Sequence, residues 1–346
     1  MSDVDSAPAI AYDAAGLRIG DEPRAFAPGV WGVRFALPFA LDHVNVWLLE
    51  DVPSWTVIDA GLADEPSRER WRQLLQGPLA GQSLSRLVAT HFHPDHLGLA
   101  GWLCDLTGAG LWASHSEWLT GRWLAQDTTE GFVAAGREFD RRAGLAEDLV
   151  AARAERGNLY RRRVSDPPSR FRRLRHGDRI EVDRTEWRII VGQGHAPEML
   201  CLYARGPNVL IAADQILPKI SPVVGVWPAE PEANPLAEFL ASLERFRELP
   251  DDCLVLPSHG QPFRGLHIRI DQLIRHHEER LEATLSACAA PATVVEVMPR
   301  LFNRPLDTHQ LQFALGESLA HLNYLLAEGR LRRRLDDDGR FRYATR

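Results

Sequence analysis

A six-residue run beginning at position 91 combines side chains that bind metal ions. It contains His91, His93, Asp95 and His96. Neutral imidazole and ionised carboxylate are the ligands that a borderline metal such as zinc prefers. A histidine-rich surface loop is the alternative interpretation, and it explains this density of ligand types poorly. The run therefore predicts a metal site.

Segments of strand character position this run. Residues 84–90 are apolar and β-branched enough for a short buried strand, and residues 97–103 are typical of the start of a helix. Because side chains alternate along a strand, the first two histidines should point to one side, while the Asp-His pair turns towards a neighbouring position. Side chains with these different directions supply ligands to two adjacent metal positions more easily than to a single one.

Three later segments of strand character each lead to one more residue that can bind a metal. Residues 186–191, 208–213 and 253–258 lead to His195, Asp214 and His259 respectively. A single His or Asp after a strand is usually a turn residue or a satisfied hydrogen bonder. Their joint order after the first run makes coincidence a poor explanation.

This order of residues resembles that of the metallo-β-lactamase-fold hydrolases. The resemblance spans residues 25–280 and implies an α+β fold, an αββα sandwich with a dinuclear site along one edge. It implies two ligand sets and a bridge: His91, His93 and His195 for one metal; Asp95, His96 and His259 for the second; and Asp214 between them. It also implies that Asp59 is a supporting residue and not a ligand.

The C-terminal third resembles the β-lactamase-like protein 2 branch of this superfamily. Three helical patterns, over 269–280, 292–302 and 306–326, precede a predicted hairpin with an Asp-Gly turn at Gly339. The chain is therefore expected to divide into a flexible tail over 1–20, a hydrolase domain over 21–280 and a small winged-helix-like domain over 281–346.

A helical insertion is predicted over residues 116–178 of the hydrolase domain. It either roofs the active site or packs on the sheet, and the pattern favours neither. Several arginines lie between Arg156 and Arg175. An ion-paired, solvated face is the favoured interpretation of these charges, and contact with an anionic substrate or with RNA is the alternative.

Three residues are candidates for substrate contact. Trp227 lies in a Pro- and Gly-containing segment after Asp214, although a buried aromatic anchor is the commoner outcome for such a residue. His43 precedes an early strand and would approach the metals from the rim. His277 follows the last ligand on a helix and would face the cleft, with a structural role as the alternative.

Composition excludes several classes of protein. The chain has 346 residues, of which 45% are hydrophobic, so it can bury a large core. Its net charge of −7 argues against a protein that coats nucleic acid, which is left open as a partner but not favoured. No segment predicts a membrane span or a secretory signal. Four scattered cysteines are typical of reduced thiols in a cytoplasmic protein, and a homodimer is left open.

The ligand set predicts a metal-dependent hydrolase with two zinc ions, for which iron or manganese are alternatives. Zinc lowers the pKa of bound water from about 15.7 towards 7, so a bridging hydroxide would attack the substrate. Asp95 would also orient this hydroxide and pass a proton to the leaving group. A small ester or thioester is the favoured substrate. A single-strand-specific endoribonuclease is the first alternative, and a DNA-binding regulator acting through the C-terminal domain is a minor one.

Overall fold

The structure is a computed structural model that describes residues 9–12, 18–303 and 305–346. Two mixed sheets lie at its centre. The first sheet has the order β2 (Arg24–Ala27), β3 (Val30–Ala36), β4 (His43–Asp51), β5 (Ser54–Ile58), β6 (Ser83–Val88), β7 (Gly110–Ala113) and β8 (Arg172–Arg173). The second has the order β1 (Ala11–Tyr12), β14 (Phe263–Arg264), β13 (Leu254–Pro257), β12 (Val209–Ala213), β11 (Met199–Ala204), β10 (Thr185–Gly192) and β9 (Arg179–Val182).

The helices lie between and after these strands. In chain order they are α1 (Glu65–Gln76), α2 (Pro94–Leu97), α3 (Ala100–Thr107), α4 (His115–Gln126), α5 (Glu130–Ala143), α6 (Glu147–Glu155), α7 (Pro235–Leu243), α8 (Leu266–Ala287), α9 (Val294–Leu301) and α10 (Thr308–Ala327). Short 3-10 helices span Tyr160–Arg163 and Glu244–Phe246. A hairpin of β15 (Leu331–Leu335) and β16 (Phe341–Thr345) ends the chain.

Each sheet is apolar on both faces, which explains the nearly continuous apolar runs of its central strands. In β4, Trp47 and Leu49 face the second sheet, while Val46 and Leu48 pack under the helices of the first. The second sheet packs on the first with one face and on α7 and α8 with the other. This layering confirms the expected αββα sandwich.

Parallel strand pairs bring the candidate ligands to one edge. β5 is parallel to β6, and β12 is parallel to β13. Asp59 follows β5, and the run at His91 follows β6. Asp214 directly follows β12, and His259 comes two residues after β13. Parallel strands end on the same side of a sheet. The segments that follow these four strands therefore meet where the two sheets face each other.

The C-terminal elements share a core with the rest of the chain. The predicted boundary at 281 falls inside α8, which continues to Ala287. Val297 of α9, Leu319 of α10 and Tyr343 of β16 belong to the same apolar cluster as Phe246. The predicted helices and hairpin are present, whereas the likeness to a winged helix stays a prediction.

The predicted tail over 1–20 falls partly outside the described residues, which omit 1–8 and 13–17. Within the described part, β1 pairs with β14 and Ile19 is buried. These residues belong to the folded domain and not to a tail. A two-residue edge strand has no signature in composition, because its partner supplies the hydrogen bonds.

Other expectations concern membranes and thiols. Among the described residues, no helix combines the length and the apolar character needed to cross a membrane. The four cysteines are buried and none of them forms a disulfide. Burial raises the pKa of the thiols of Cys104 and Cys253 to about 12, so these groups stay protonated. They serve as small core residues.

Candidate metal centre

All the predicted ligands converge at the edge where the sheets face each other. Their nitrogen and oxygen atoms form three groups, each with members within 4.8 Å of one another: His91, His93 and His195; His91, His96 and Asp214; and Asp95, His96 and His259. Because His91 and His96 each belong to two groups, the groups form one continuous cluster. The seven residues that the sequence predicted as ligands thus lie together, and the number of ions stays a prediction.

Asp214 lies in the middle of the cluster. Its Oδ2 is 3.4 Å from Nε2 of both His195 and His259, and its Oδ1 is 3.6 Å from Nε2 of His96. These distances exceed those of a good hydrogen bond. They match the separation of about 3.4 Å between two ligands that each lie about 2.1 Å from a tetrahedral zinc ion.

Several atoms of the cluster are buried without a hydrogen-bond partner. They are Nε2 of His96, Nε2 of His195 and Oδ1 of Asp214. A buried polar atom without a partner costs free energy, so this concentration at one place requires a compensating ligand. A divalent cation fits, because the atoms are the donor types that zinc, iron and manganese bind.

Side chains support the ligands that follow the first sheet. Nδ1 of His96 lies 2.8 Å from Oδ2 of Asp59. The same carboxylate accepts hydrogen bonds from the backbone N–H and the hydroxyl of Thr90, at 2.7 and 2.9 Å. The Thr90 hydroxyl is also 3.0 Å from Nδ1 of His91. Asp59 therefore fixes the orientation of these imidazoles without being a ligand, as a carboxylate behind a metal-binding histidine does.

Main-chain carbonyls support the histidines from the second sheet. Nδ1 of His195 donates to the Val223 carbonyl at 2.7 Å, and Nδ1 of His259 donates to the His43 carbonyl at 2.6 Å. A carbonyl only accepts, so Nδ1 carries the proton in both rings. Nε2 of each ring is then free to face the cluster.

The pKa directions divide the histidines of the cluster. Burial, and after it the neighbouring imidazole of His195, lowers the pKa of His93 to about 3, whereas the carboxylates of Asp95 and Asp214 raise the pKa of His96 and of His259. Burial would also raise the pKa of Asp214, but His259 and His96 hold it well below its usual range. Neutral imidazoles and ionised carboxylates are the forms that bind metal.

Sequence reasoning missed Glu117, which joins the two halves of the centre. Its carboxylate accepts from the backbone N–H of Phe92, between two ligands, and from that of Glu198, in the loop after His195. The distances are 2.9 and 2.6 Å, and the side chain is almost fully buried. Its sequence context reads as an ordinary first-turn acid after the cap Ser114, so no signal distinguished it.

Asn45 was missed as well. Its Nδ2 donates to the carbonyls of Pro257 and Gly260, both at 2.9 Å, and so holds the turn that carries His259. A polar residue inside the apolar strand β4 was a signal that could have found it.

The three candidate substrate contacts have other partners in the structure. Nε2 of His43 accepts from the Gly260 N–H at 2.8 Å, so the ring supports the His259 turn. Trp227 packs edge-on against Phe313 of α10, with ring centroids 6.0 Å apart. His277, on α8, is fully buried against His321 of α10. Of the three, His43 lies beside the cluster, its ring centroid 6.2 Å from that of His259.

The insertion contacts residues next to the ligands at two places. Leu97 of α2 packs on α4 at Gly121, where an added Cβ would lie 2.2 Å from it. The Tyr160 hydroxyl donates to the Phe92 carbonyl. Phe139 of α5, by contrast, packs in the core that contains the C-terminal helices. The insertion thus packs beside the run at His91 at two places, while Phe139 in its middle packs in another core.

The arginines of the insertion are in part accounted for by stacking. Arg172 lies over Trp112, 4.2 Å from the ring centroid, and Arg163 lies over Phe39 at 4.8 Å. Arg161 and Arg162 are exposed on the 3-10 helix that starts at Tyr160. Two exposed charges therefore lie on the helix that binds the Phe92 carbonyl.

Comparison with known proteins identifies the family. Residues 40–259 match the sequence model of the Metallo-beta-lactamase superfamily. This match covers more than half of the chain. The chain belongs to the metallo-beta-lactamase superfamily. Residues 281–346 match the model described as Metallo-beta-lactamase-like, C-terminal domain, so the C-terminal segment is also a recognised part of such proteins.

Other superfamily members resemble the chain over nearly its whole length. A beta-lactamase domain protein from Burkholderia ambifaria is 41% identical, with a TM-score of 0.90, covering 97% of this chain and 98% of that one. A metallo-beta-lactamase family protein from Thermus thermophilus is 31% identical, with a TM-score of 0.79, covering 93% and 100%. The "Probable metallo-hydrolase YqjP" of Bacillus subtilis (strain 168) is 26% identical over 86% of this chain and 92% of its own length. The comparisons thus support describing this chain as a metallo-hydrolase of the superfamily.

Proposed function

We propose that this superfamily member is a hydrolase that uses two divalent cations, with zinc as the first candidate, to cleave a small ester or thioester. The observation that carries the proposal is the continuous cluster of ligand atoms, three of which are buried without a hydrogen-bond partner. His91, His93 and His195 would hold one cation, Asp95, His96 and His259 the other, and Asp214 would bridge.

Bound divalent cations supply an activated water molecule and polarise a carbonyl oxygen. The chain's own residues orient these functions. Asp59, Thr90 and two main-chain carbonyls hold the imidazoles in one orientation. A rigid ligand set reduces the reorganisation needed when charge develops on the substrate.

Asp95 is the ligand best placed to handle a proton. Its side chain is 19% exposed, whereas those of His96, His259 and Asp214 are between 0 and 8% exposed. Its carboxylate is therefore the most accessible of these four ligands to a leaving group. We infer that Asp95 would both bind a cation and accept the proton that the attacking water releases, which it would then pass to the leaving group.

Apolar surface beside the ligands supports an acyl substrate. The Phe92 ring is half-buried, with its centroid 4.5 Å from that of His93. A partly exposed aromatic ring beside a ligand favours the apolar part of an ester or thioester over a highly charged polymer.

The test is a metal and substrate analysis of the purified chain, prepared without chelator or added metal. We expect about two equivalents of zinc and hydrolysis of at least one member of a panel of acyl esters and thioesters. Asp95→Ala should remove activity, and Asp105→Asn, a change at an exposed acid on α3, should keep it. Two bound zinc ions with no hydrolysis of any ester or thioester would contradict the substrate class.

A single-strand-specific endoribonuclease is the second candidate. The exposed Arg161 and Arg162 favour it, because they lie on the helix that contacts the ligand run. The net charge of −7 disfavours it. Cleavage of labelled single-stranded RNA that weakens steeply with salt and is lost in Asp95→Ala would replace the ester by RNA.

A further inference from the structure

The segment between Asp214 and α7 contains the partner of a metal ligand. Val223 accepts the hydrogen bond from Nδ1 of His195 at 2.7 Å. We call residues 217–223 the wall segment, since Pro218 also lies against the turn of His259: a Cβ added at Gly260 would be 2.8 Å from its Cγ. The orientation of His195 therefore depends directly on where this segment lies, and the turn of His259 packs against it.

The wall segment has no backbone hydrogen bonds of its own that would fix its conformation. Within the described part of the chain, no backbone-to-backbone hydrogen bond begins or ends between residues 217 and 223. The segment is neither helix nor strand. An irregular segment without internal backbone-to-backbone hydrogen bonds is ordered chiefly by contacts with other elements.

Two residues of α8 supply such contacts. Arg269 donates from Nε to the Leu217 carbonyl at 2.6 Å and from Nη2 to the Ile220 carbonyl at 2.9 Å. Nε2 of His277 lies 3.2 Å from the hydroxyl of Ser221. Arg269 is 8% exposed and His277 is fully buried, so neither contact competes with bulk water.

The hydrogen bond of Ser221 continues into α10. Nδ1 of His277 is 3.3 Å from Nε2 of His321, and Nδ1 of His321 is 2.7 Å from the Glu317 carbonyl. Because that carbonyl only accepts, each Nδ1 carries a proton and each Nε2 accepts. The Ser221 hydroxyl is then the donor to His277, although it also lies 3.2 Å from the Pro222 carbonyl.

Both rings are held in the neutral form that this direction requires. Burial lowers the pKa of His277 to about 2 and that of His321 to about 4. α10 also approaches the chain just beyond the wall segment. The Val226 N–H donates to the Gly316 carbonyl at 3.0 Å, and a Cβ at Gly316 would lie 2.9 Å from the Val226 oxygen.

We infer that His277 and His321 are positioning residues of the metal centre: through Ser221 they fix the wall segment, and thereby the carbonyl that orients His195. The helices α8 and α10 would then help to position a ligand of the metal centre. The inference rests on the proposed metal centre, and it does not depend on which substrate is hydrolysed.

The sequence provides a probe inside the wall segment. Lys219 is the sole lysine of the chain, and it is exposed. A lysine-specific endoproteinase therefore cuts the full-length protein at this position alone, and the rate of cutting reports how often the segment opens. This readout needs neither metal nor activity.

The variants are His277→Leu, which removes both hydrogen bonds, and His277→Gln, which keeps one acceptor and one donor. His276→Leu, at the adjacent position of α8, is the matched control. We expect about ten-fold faster cleavage at Lys219 in His277→Leu, partial rescue in His277→Gln and the parent rate in His276→Leu. Ser221→Ala, which removes one hydroxyl, should cleave several-fold faster and serves if His277→Leu does not fold.

The link to the metal is measured by titration with a competing chelator and by the visible spectrum of the cobalt-loaded protein. We expect the weaker of two metal affinities to fall about ten-fold in His277→Leu, with a changed cobalt spectrum, and to recover in part in His277→Gln. Unchanged cleavage at Lys219 in folded His277→Leu or Ser221→Ala would overturn the inference, and so would faster cleavage with unchanged metal affinity. If the expected cleavage and affinity changes occur but no ester, thioester or RNA is hydrolysed, the proposed function fails and this inference stands.

Discussion

The two halves of the metal centre are held in different ways. Ligands that follow the first sheet are oriented by side chains, because Asp59 binds both His96 and Thr90. The histidines from the second sheet are oriented by the main-chain carbonyls of Val223 and His43. A side-chain support is removed by one substitution, whereas a carbonyl support is lost only when its segment moves. The first half should therefore be sensitive to local mutation and the second to distant packing.

The largest effect is expected from removing a ligand in either half. His91→Ala and His195→Ala should each lower kcat/KM by at least about a thousand-fold, since each removes a donor from the cluster. Elemental analysis should show the loss of about one metal equivalent in each variant. Wild-type turnover by His91→Ala would refute the assignment of the whole cluster.

The next effect concerns Glu117, which spans the two halves. Burial raises the pKa of this carboxyl from 4.5 to about 7. The folded state then binds a proton more tightly than the unfolded state, so the contribution of Glu117 to stability is full below about pH 4.5 and is lost as pH rises through about 7. The change amounts to at most about 3 kcal/mol.

Denaturant unfolding of the metal-free protein between pH 4.5 and 8 measures this effect. Glu117→Gln should flatten the fall in stability across this window, because an amide does not titrate there. The exposed Glu69→Gln on α1 is the control and should leave the slope unchanged. A Glu117→Gln protein with the full parental slope would show that other groups set the pH dependence.

A smaller effect is expected from removing the side-chain support that Asp59 provides. Asp59→Asn keeps the shape of the side chain, but its amide nitrogen cannot accept the hydrogen bonds of Thr90 and His96. Metal affinity, measured by chelator competition, should fall about 10- to 100-fold. Because Asp59 contacts His96 directly and His91 only through the Thr90 hydroxyl, the metal held by His96 should be weakened more than the metal held by His91. Equal weakening of both metals would show that the support through Thr90 matters as much as the direct contact.

The smallest effect is expected at the rim. Tyr160→Phe removes one hydrogen bond to the Phe92 carbonyl and leaves the ring in place. Thermal unfolding should show a loss of about 1 kcal/mol, with kcat/KM changed no more than a few-fold. A loss of activity comparable to that of a ligand variant would assign Tyr160 to the reaction itself.

Much of this site was readable from the sequence because its main signals are local. The run at His91 places four candidate ligands of two types after one strand, and strand alternation separates their directions. His195, Asp214 and His259 were recognisable since each ends or follows an apolar segment. The C-terminal hairpin was equally local, and Gly339 at its turn adopts a φ of 75°.

The interpretation of His277 and Trp227 needed the fold. Position after the last ligand did not show that α10 would cover His277, since α10 begins more than thirty residues later. Trp227 follows Asp214 closely in sequence, yet its ring packs against Phe313 of α10. Proximity along the chain did not decide proximity to the metals, because packing between helices determines which face of a segment is covered.

The sequence by itself determined the ligand types, their order and the sheet edge at which they lie, since covalent spacing and strand periodicity are properties of short segments. The tertiary structure alone decided what holds them. Asn45 fixes the turn of His259 across more than 200 residues, and Glu117 joins loops that lie 25 and 81 positions away. Such partners are selected by how the sheets and helices pack, and no short segment contains that information.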